Sequence, residues 1–169
     1  SPGAGTNRGD TEACFVCPFD EKIYLFTKRE FRTRIYTLPL QSSYTGTQTL
    51  TYVGEVNSAV VALTSTGPSS PSPYNGVTEA CVSNAGNHLL MKTYDTVYQF
   101  WRTDLDIPWT TVLQVSAPQV DPNYVGLGAS PSQEPQGESM TFDANDTGYY
   151  TTSENSAGAT LPIYYYSRK

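Results

Sequence analysis

Histidine, cysteine and charge are all scarce in this 169-residue chain, which holds one histidine, three cysteines and only 15 % charged side chains. The single His88 lies in a polar turn, which argues against its facing a serine nucleophile in a Ser-His-Asp arrangement. No Gly-rich phosphate loop, His-rich metal motif or nucleophile elbow is present, so the familiar signatures of phosphoryl and acyl transfer are missing. Three cysteines are too few for a disulfide scaffold. Cys14, Cys17 and Cys81 read as small buried side chains, or as one disulfide with a thiol left over. Cys14-Phe15-Val16-Cys17 has redox or zinc spacing, but residues i and i+3 of a strand point to opposite faces and cannot share a metal.

Long apolar runs are also missing: none approaches the roughly 18 residues that a membrane span needs, so no membrane span is expected. Nor is there a signal peptide, so a secreted protein would be seen here in its mature form or as a fragment. No stretch has convincing amphipathic helical spacing. With 10 basic against 16 acidic residues the net charge is −6, which repels a nucleic-acid backbone and points away from DNA or RNA as a partner.

Gly, Pro, Ser, Thr and Tyr are abundant instead, the composition of many short strands joined by turns. One pattern occurs three times. Each copy opens on a glutamate followed by a small residue, Glu12-Ala13, Glu79-Ala80 and Glu138-Ser139. Each then passes a polar turn, Phe19-Asp20-Glu21-Lys22, Asn84-Ala85-Gly86-Asn87 or Asn145-Asp146-Thr147-Gly148, into an aromatic or aliphatic strand ending in Thr or Ser. The glutamates stand 67 and 59 residues apart, a period that suits the blade of a radial sheet array.

The expected fold is all-β, a β-propeller-like array of about three antiparallel blades that is part of a larger propeller or assembly. Residues 1–9 form an opening loop, 10–63 blade one, 64–75 a Pro/Ser-rich loop, 76–115 blade two, 116–135 a second loop and 136–169 blade three. Blade two takes Thr110–Val115 as its outermost strand, and blade three lacks one. The unpaired edge that this leaves tends to recruit another strand.

Glu12, Glu79 and Glu138, at the start of each innermost strand, are the candidate metal ligands, since gathered carboxylates suit a hard cation such as Ca2+. No cofactor is otherwise expected. The alternative is that each glutamate accepts hydrogen bonds that fasten blade to blade. Tyr94, Tyr98 and Tyr164 are candidate binding residues, as a stacking surface for a glycan or a subunit interface. Asn145-Asp146-Thr147 is a glycosylation sequon, and with the low Lys content it leans towards an extracellular location. The one basic cluster, Lys28 to Arg34, reads as a solvated turn or as a contact for an anionic glycan or an acidic partner.

Gly-Asp-Thr-Glu-Ala with Ile-Tyr-Leu-Phe-Thr-Lys, Leu-Leu-Met-Lys-Thr-Tyr, and Gln-Gly-Glu-Ser-Met-Thr-Phe-Asp with Tyr-Tyr-Thr-Thr-Ser-Glu resemble the C-terminal blades of secreted, mostly uncharacterised β-propeller proteins of the NHL and esterase-like-phytase type. The resemblance spans nearly the whole chain. It implies a scaffold without specifying a reaction, and further blades upstream. The functional expectation is an extracellular structural or binding module engaged in protein assembly, leaning away from an enzyme. A metal-dependent hydrolase using the channel carboxylates and a carbohydrate-binding module are the alternatives.

Overall fold

The computed structural model describes residues 10–28, 32–57, 76–94, 96–116, 118–124, 134, 137–153 and 162–168. The expected opening loop, the Pro/Ser-rich loop and most of the second loop lie outside the described residues. Three antiparallel meanders make up the all-β architecture. The first is β1 (Thr11–Cys17), β2 (Lys22–Thr27), β3 (Arg34–Pro39) and β4 (Thr51–Glu55). The second is β5 (Glu79–Val82), β6 (His88–Lys92), β7 (Val97–Trp101) and β8 (Gln119–Val120). The third is β9 (Gly137–Phe142), β10 (Gly148–Ser153) and β11 (Ile163–Ser167), in strand order.

Alternation along each strand decides which side chains meet. Ala13, Phe15, Cys17, Tyr24, Phe26 and Ile35 bury one face of the first sheet against Ala80, Leu89, Met91 and Phe100 of the second. Phe15 stacks on Tyr24 with ring centroids 4.7 Å apart. The other face of the second sheet, with Cys81, Leu90 and Val97, meets Met140, Tyr149 and Tyr166 of the third. His88 to Lys92 are therefore buried at every position, the mark of a strand covered on both sides. The first strands β1, β5 and β9 lie side by side.

Each hairpin between a sheet's first and second strands closes over four residues, bounded by Cys17 and Lys22, Ser83 and His88, and Asp143 and Gly148. These turns sit in a row at one end of the array. Phe19 lies against Gly86, whose φ of 72° favours glycine and whose added Cβ would strike the Phe19 ring. Asp146, at φ 55°, accepts backbone N–H groups of Asn84 and Ala85 at 3.0 and 3.1 Å. The left-handed backbone suits Gly and Asp, which is why these turns can be tight.

The expected strand at Thr110–Val115 is instead a short helix, α1 (Trp109–Val115). Its β-branched Thr110, Thr111, Val112 and Val115 favour strand by local preference. Trp109, Val112 and Leu113 nevertheless have the i, i+3, i+4 spacing of a helix face, and burying all three on the first two sheets decides the outcome. The outermost strand of the second sheet is β8, reached only after the helix.

Arg102 ties these parts together. Its Nη1 donates to Asp20 Oδ1 at 2.6 Å and to the Ile107 carbonyl at 2.9 Å, and its Nε donates to the Gly86 carbonyl at 2.6 Å. The guanidinium also stands over the Trp109 ring at 4.9 Å. Asp20 further accepts the Tyr24 hydroxyl and the Trp109 N–H, so one buried pair holds first turn, second turn and helix.

Candidate functional site: a lysine and carboxylate belt at the strand starts

Opposite the turns, where the first strands begin and the second strands end, the structure gathers lysines, glutamates and tyrosines. Lys28 follows β2 and is 1 % exposed, so it is not part of a solvated basic turn. Its ammonium donates to Glu12 and, at 2.8 Å, to the Tyr94 hydroxyl, over whose ring it lies at 4.4 Å. Burial alone would push Lys28 down, but Glu12 and Tyr94 outweigh it and hold the ammonium above its ordinary range. The Tyr94 hydroxyl in turn meets Glu138. Arg32 pairs with Glu55 at 3.2 Å on the surface, and residues 29–31 lie outside the described residues.

Lys92, the last residue of β6, ion-pairs with Glu134 at 3.2 Å, both side chains 0 % exposed. It donates to the Tyr124 hydroxyl at 2.6 Å and lies over that ring at 4.4 Å. Burial pushes its ammonium below the ordinary range despite Glu134. Gly137 flanks the pair, and a Cβ there would run into the Lys92 ammonium, so a larger residue would push that side chain away from its present position.

The three glutamates of the repeat do not occupy one structural position. Register shifts place Glu12 between Thr11 and Ala13 opposite β2, and Glu138 between Gly137 and Ser139 opposite β10. Both are therefore β-bulge residues at the start of an inner strand. Counting back from the second hairpin puts Thr78 level with them and Glu79 one residue further on, level with Ala13 and Ser139. A slip of one residue in a strand turns a side chain to the other face. Glu79 accepts the Ala80 N–H at 2.9 Å. Among the described residues, no three Cys, His, Asp or Glu side chains come close enough to share a metal ion.

Burial pushes the Glu79 carboxyl up to about 7, opposed only by the Ala80 N–H bond. Between its ordinary 4.5 and about 7 the folded chain therefore holds a proton that the unfolded chain has lost. Its contribution to stability is full below pH 4.5 and falls as pH rises through 7, by about 2 kcal/mol after allowing for partial exposure. Glu79→Gln should accordingly raise stability at pH 7.5 by about that amount and change it little at pH 4. Urea unfolding at the two pH values checks this.

Of the candidate binding tyrosines, Tyr94 is buried under Lys28, Tyr98 is half-buried against the first core and Tyr164 is half-buried in β11. Among the described residues, the exposed tyrosines are Tyr52, Tyr150 and Tyr165. Asn145 is exposed in the third hairpin, where the Thr147 hydroxyl of the same sequon donates to Asp143 at 2.6 Å. Three hydrogen-bond donors from Thr147 and Tyr165 help hold the Asp143 carboxyl down to about 2. His88 opens β6 rather than lying in the turn, stacked on Trp101 at 4.9 Å and beside Phe142. Burial there pushes its imidazole down to about 4, so it is neutral at physiological pH. Cys14, Cys17 and Cys81 are free thiols, Cys14 exposed and Cys17 buried on the opposite face.

The belt was not legible as such in the sequence. Its one signal was the unbroken burial implied by His88-Leu89-Leu90-Met91-Lys92, where a lysine ends a strand without polar alternation. No protein-family model and no curated protein matches the chain.

Proposed function

We propose that this chain is an extracellular structural or binding module, built on a β-propeller-like scaffold of three blades and engaged in protein assembly. The observation that carries the reading is the belt. Lys28, bound to Glu12 of its own sheet, donates to Tyr94 beside the second sheet, Glu138 of the third sheet meets the same Tyr94 and Glu134 neutralises Lys92, so this network of lysines, carboxylates and Tyr94 fastens sheet to sheet. Side-by-side first strands and face-to-face meanders support the reading of the sheets as blades. The exposed sequon at Asn145 and the low charge support an extracellular setting.

Calcium titration with a thermal-unfolding readout tests the scaffold reading against a metal-dependent hydrolase. A cation would have to displace Lys28 from Glu12, so the midpoint should stay within about 1 °C at millimolar Ca2+. A cation held in the belt would add about 2.7 kcal/mol at a hundredfold excess over its Kd, several degrees for a chain of this size, and would overturn the reading.

A further inference from the structure

The hairpin registers make the three sheets superimposable position by position. Cys17, Ser83 and Asp143 close equivalent turns, so Cys14, Ala80 and Met140 are equivalent, as are Phe15, Cys81 and Thr141. The same count matches Leu25 with Met91 and Thr151, and Tyr24 with Leu90 and Tyr150. Each sheet thus has two kinds of face. The face carrying Ala80, Leu89 and Met91 in the second sheet packs on the first, and the matching face with Met140 and Tyr149 in the third packs on the second. The opposite face, with Phe15, Tyr24 and Phe26 in the first sheet and Cys81 and Leu90 in the second, receives them.

Among the described residues, one face of each kind has no sheet packed on it. On the first sheet it is the inserting kind, with Cys14, Val16, Ile23, Leu25, Tyr36 and Leu38 in cross-strand register. Val16 is 45 % exposed there and Tyr52 continues the row on β4. On the third sheet it is the receiving kind, with Thr141, Tyr150, Thr152, Ile163 and Tyr165. Tyr150 is 41 % and Ile163 73 % exposed. Exposed aliphatic and aromatic side chains gathered on one sheet face mark an interaction surface. Within the chain, an inserting face is always covered by a receiving one.

We propose that the outer face of the first sheet docks on the outer face of the third sheet of a second copy, so that two copies close head to tail. Two such contacts, related by a two-fold axis, leave neither kind of face open. Two copies of the 169-residue chain bring together six of the sheets seen among the described residues, within the range of about four to eight that closed radial arrays hold.

This docking rests on the blade reading of the sheets. The test is sedimentation equilibrium of the 169-residue chain at about 10 to 100 µM, with Val16→Arg and Tyr150→Asp as variants. Both positions are exposed, and circular dichroism checks that both variants fold. The wild type should sediment at twice its 18.5 kDa. Each variant alone should weaken association about 100-fold or more, since a charge then faces an apolar surface in both contacts.

An equal mixture of the variants should recover the double mass. One of its contacts joins two unmodified faces, and the other sets Arg against Asp. A wild-type monomer overturns the proposal. So does a dimer that survives both substitutions, or a mixture that fails to recover, which would mean a like-to-like contact. A monomer insensitive to calcium refutes the docking alone, whereas calcium stabilisation refutes the scaffold reading whatever the mass.

Discussion

Arg102→Met should lower the unfolding free energy by about 3 to 5 kcal/mol, because it leaves a buried carboxylate without its counter-charge. Asp20 is 4 % exposed, and burial by itself would raise its carboxyl; hydrogen bonds from Tyr24, Arg102 and Trp109 reverse this and hold it below its ordinary range. The guanidinium cannot be replaced by a single charge, since it also serves the Gly86 and Ile107 carbonyls and covers Trp109. Arg102→Lys should therefore recover only a minor part of the loss. For a chain of this length the full loss corresponds to a fall of roughly 6 to 20 °C in Tm.

The pH dependence separates this charge effect from lost packing. A carboxylate with a depressed folded-state pKa contributes stability that is present above its ordinary value of 3.8 and lost as pH falls through the folded value. In Arg102→Met that acid limb should shrink, and Asp20→Asn in the same background should regain part of the stability at neutral pH. Urea unfolding of the three variants between pH 3 and 7 measures it. A loss under about 1 kcal/mol would mean that the pair is not the tie between turns and helix that its geometry describes.

The strands were legible because they obey local rules. Phe15, Tyr24, Phe26 and Ile35 alternate with less buried neighbours, and Pro, Asn, Asp and Gly mark the turns, so the strands other than β8, which lies in the stretch read as the second loop, fall close to where the pattern puts them. Tertiary contacts decided the rest. Helix α1 contradicts the strand preference of its own residues because three apolar side chains find a shared groove. The equivalence of Glu12, Glu79 and Glu138 rested on aligned letters. A bulge adds one residue to β1 and to β9, and bulges leave no clear trace in composition. Glu12 and Glu138 do correspond, and Glu79 is the member displaced. Arg102 and Lys92 resembled ordinary strand-end cations, since nothing adjacent in sequence announces Asp20, 82 residues away, or Glu134.

Lys92 and Glu134 should show the largest coupling in the molecule. The pair is fully enclosed, and its Coulombic gain has to offset the cost of taking two charges out of water. The geometry is only partly able to do so: Lys92 has Tyr124 as a second partner, but neither Glu134 oxygen is within good hydrogen-bond geometry of any group. Lys92→Met alone strands the carboxylate and should cost about 3 to 5 kcal/mol, and Glu134→Leu alone strands the ammonium at a similar cost. The double variant removes both charges and should lie within about 1 kcal/mol of the wild type, or above it. A double-mutant cycle in urea reads this directly. If the double variant were as unstable as either single one, the pair would be holding the second and third sheets in register rather than merely cancelling two charges, and Gly137, which makes room for the ammonium, would be part of that device.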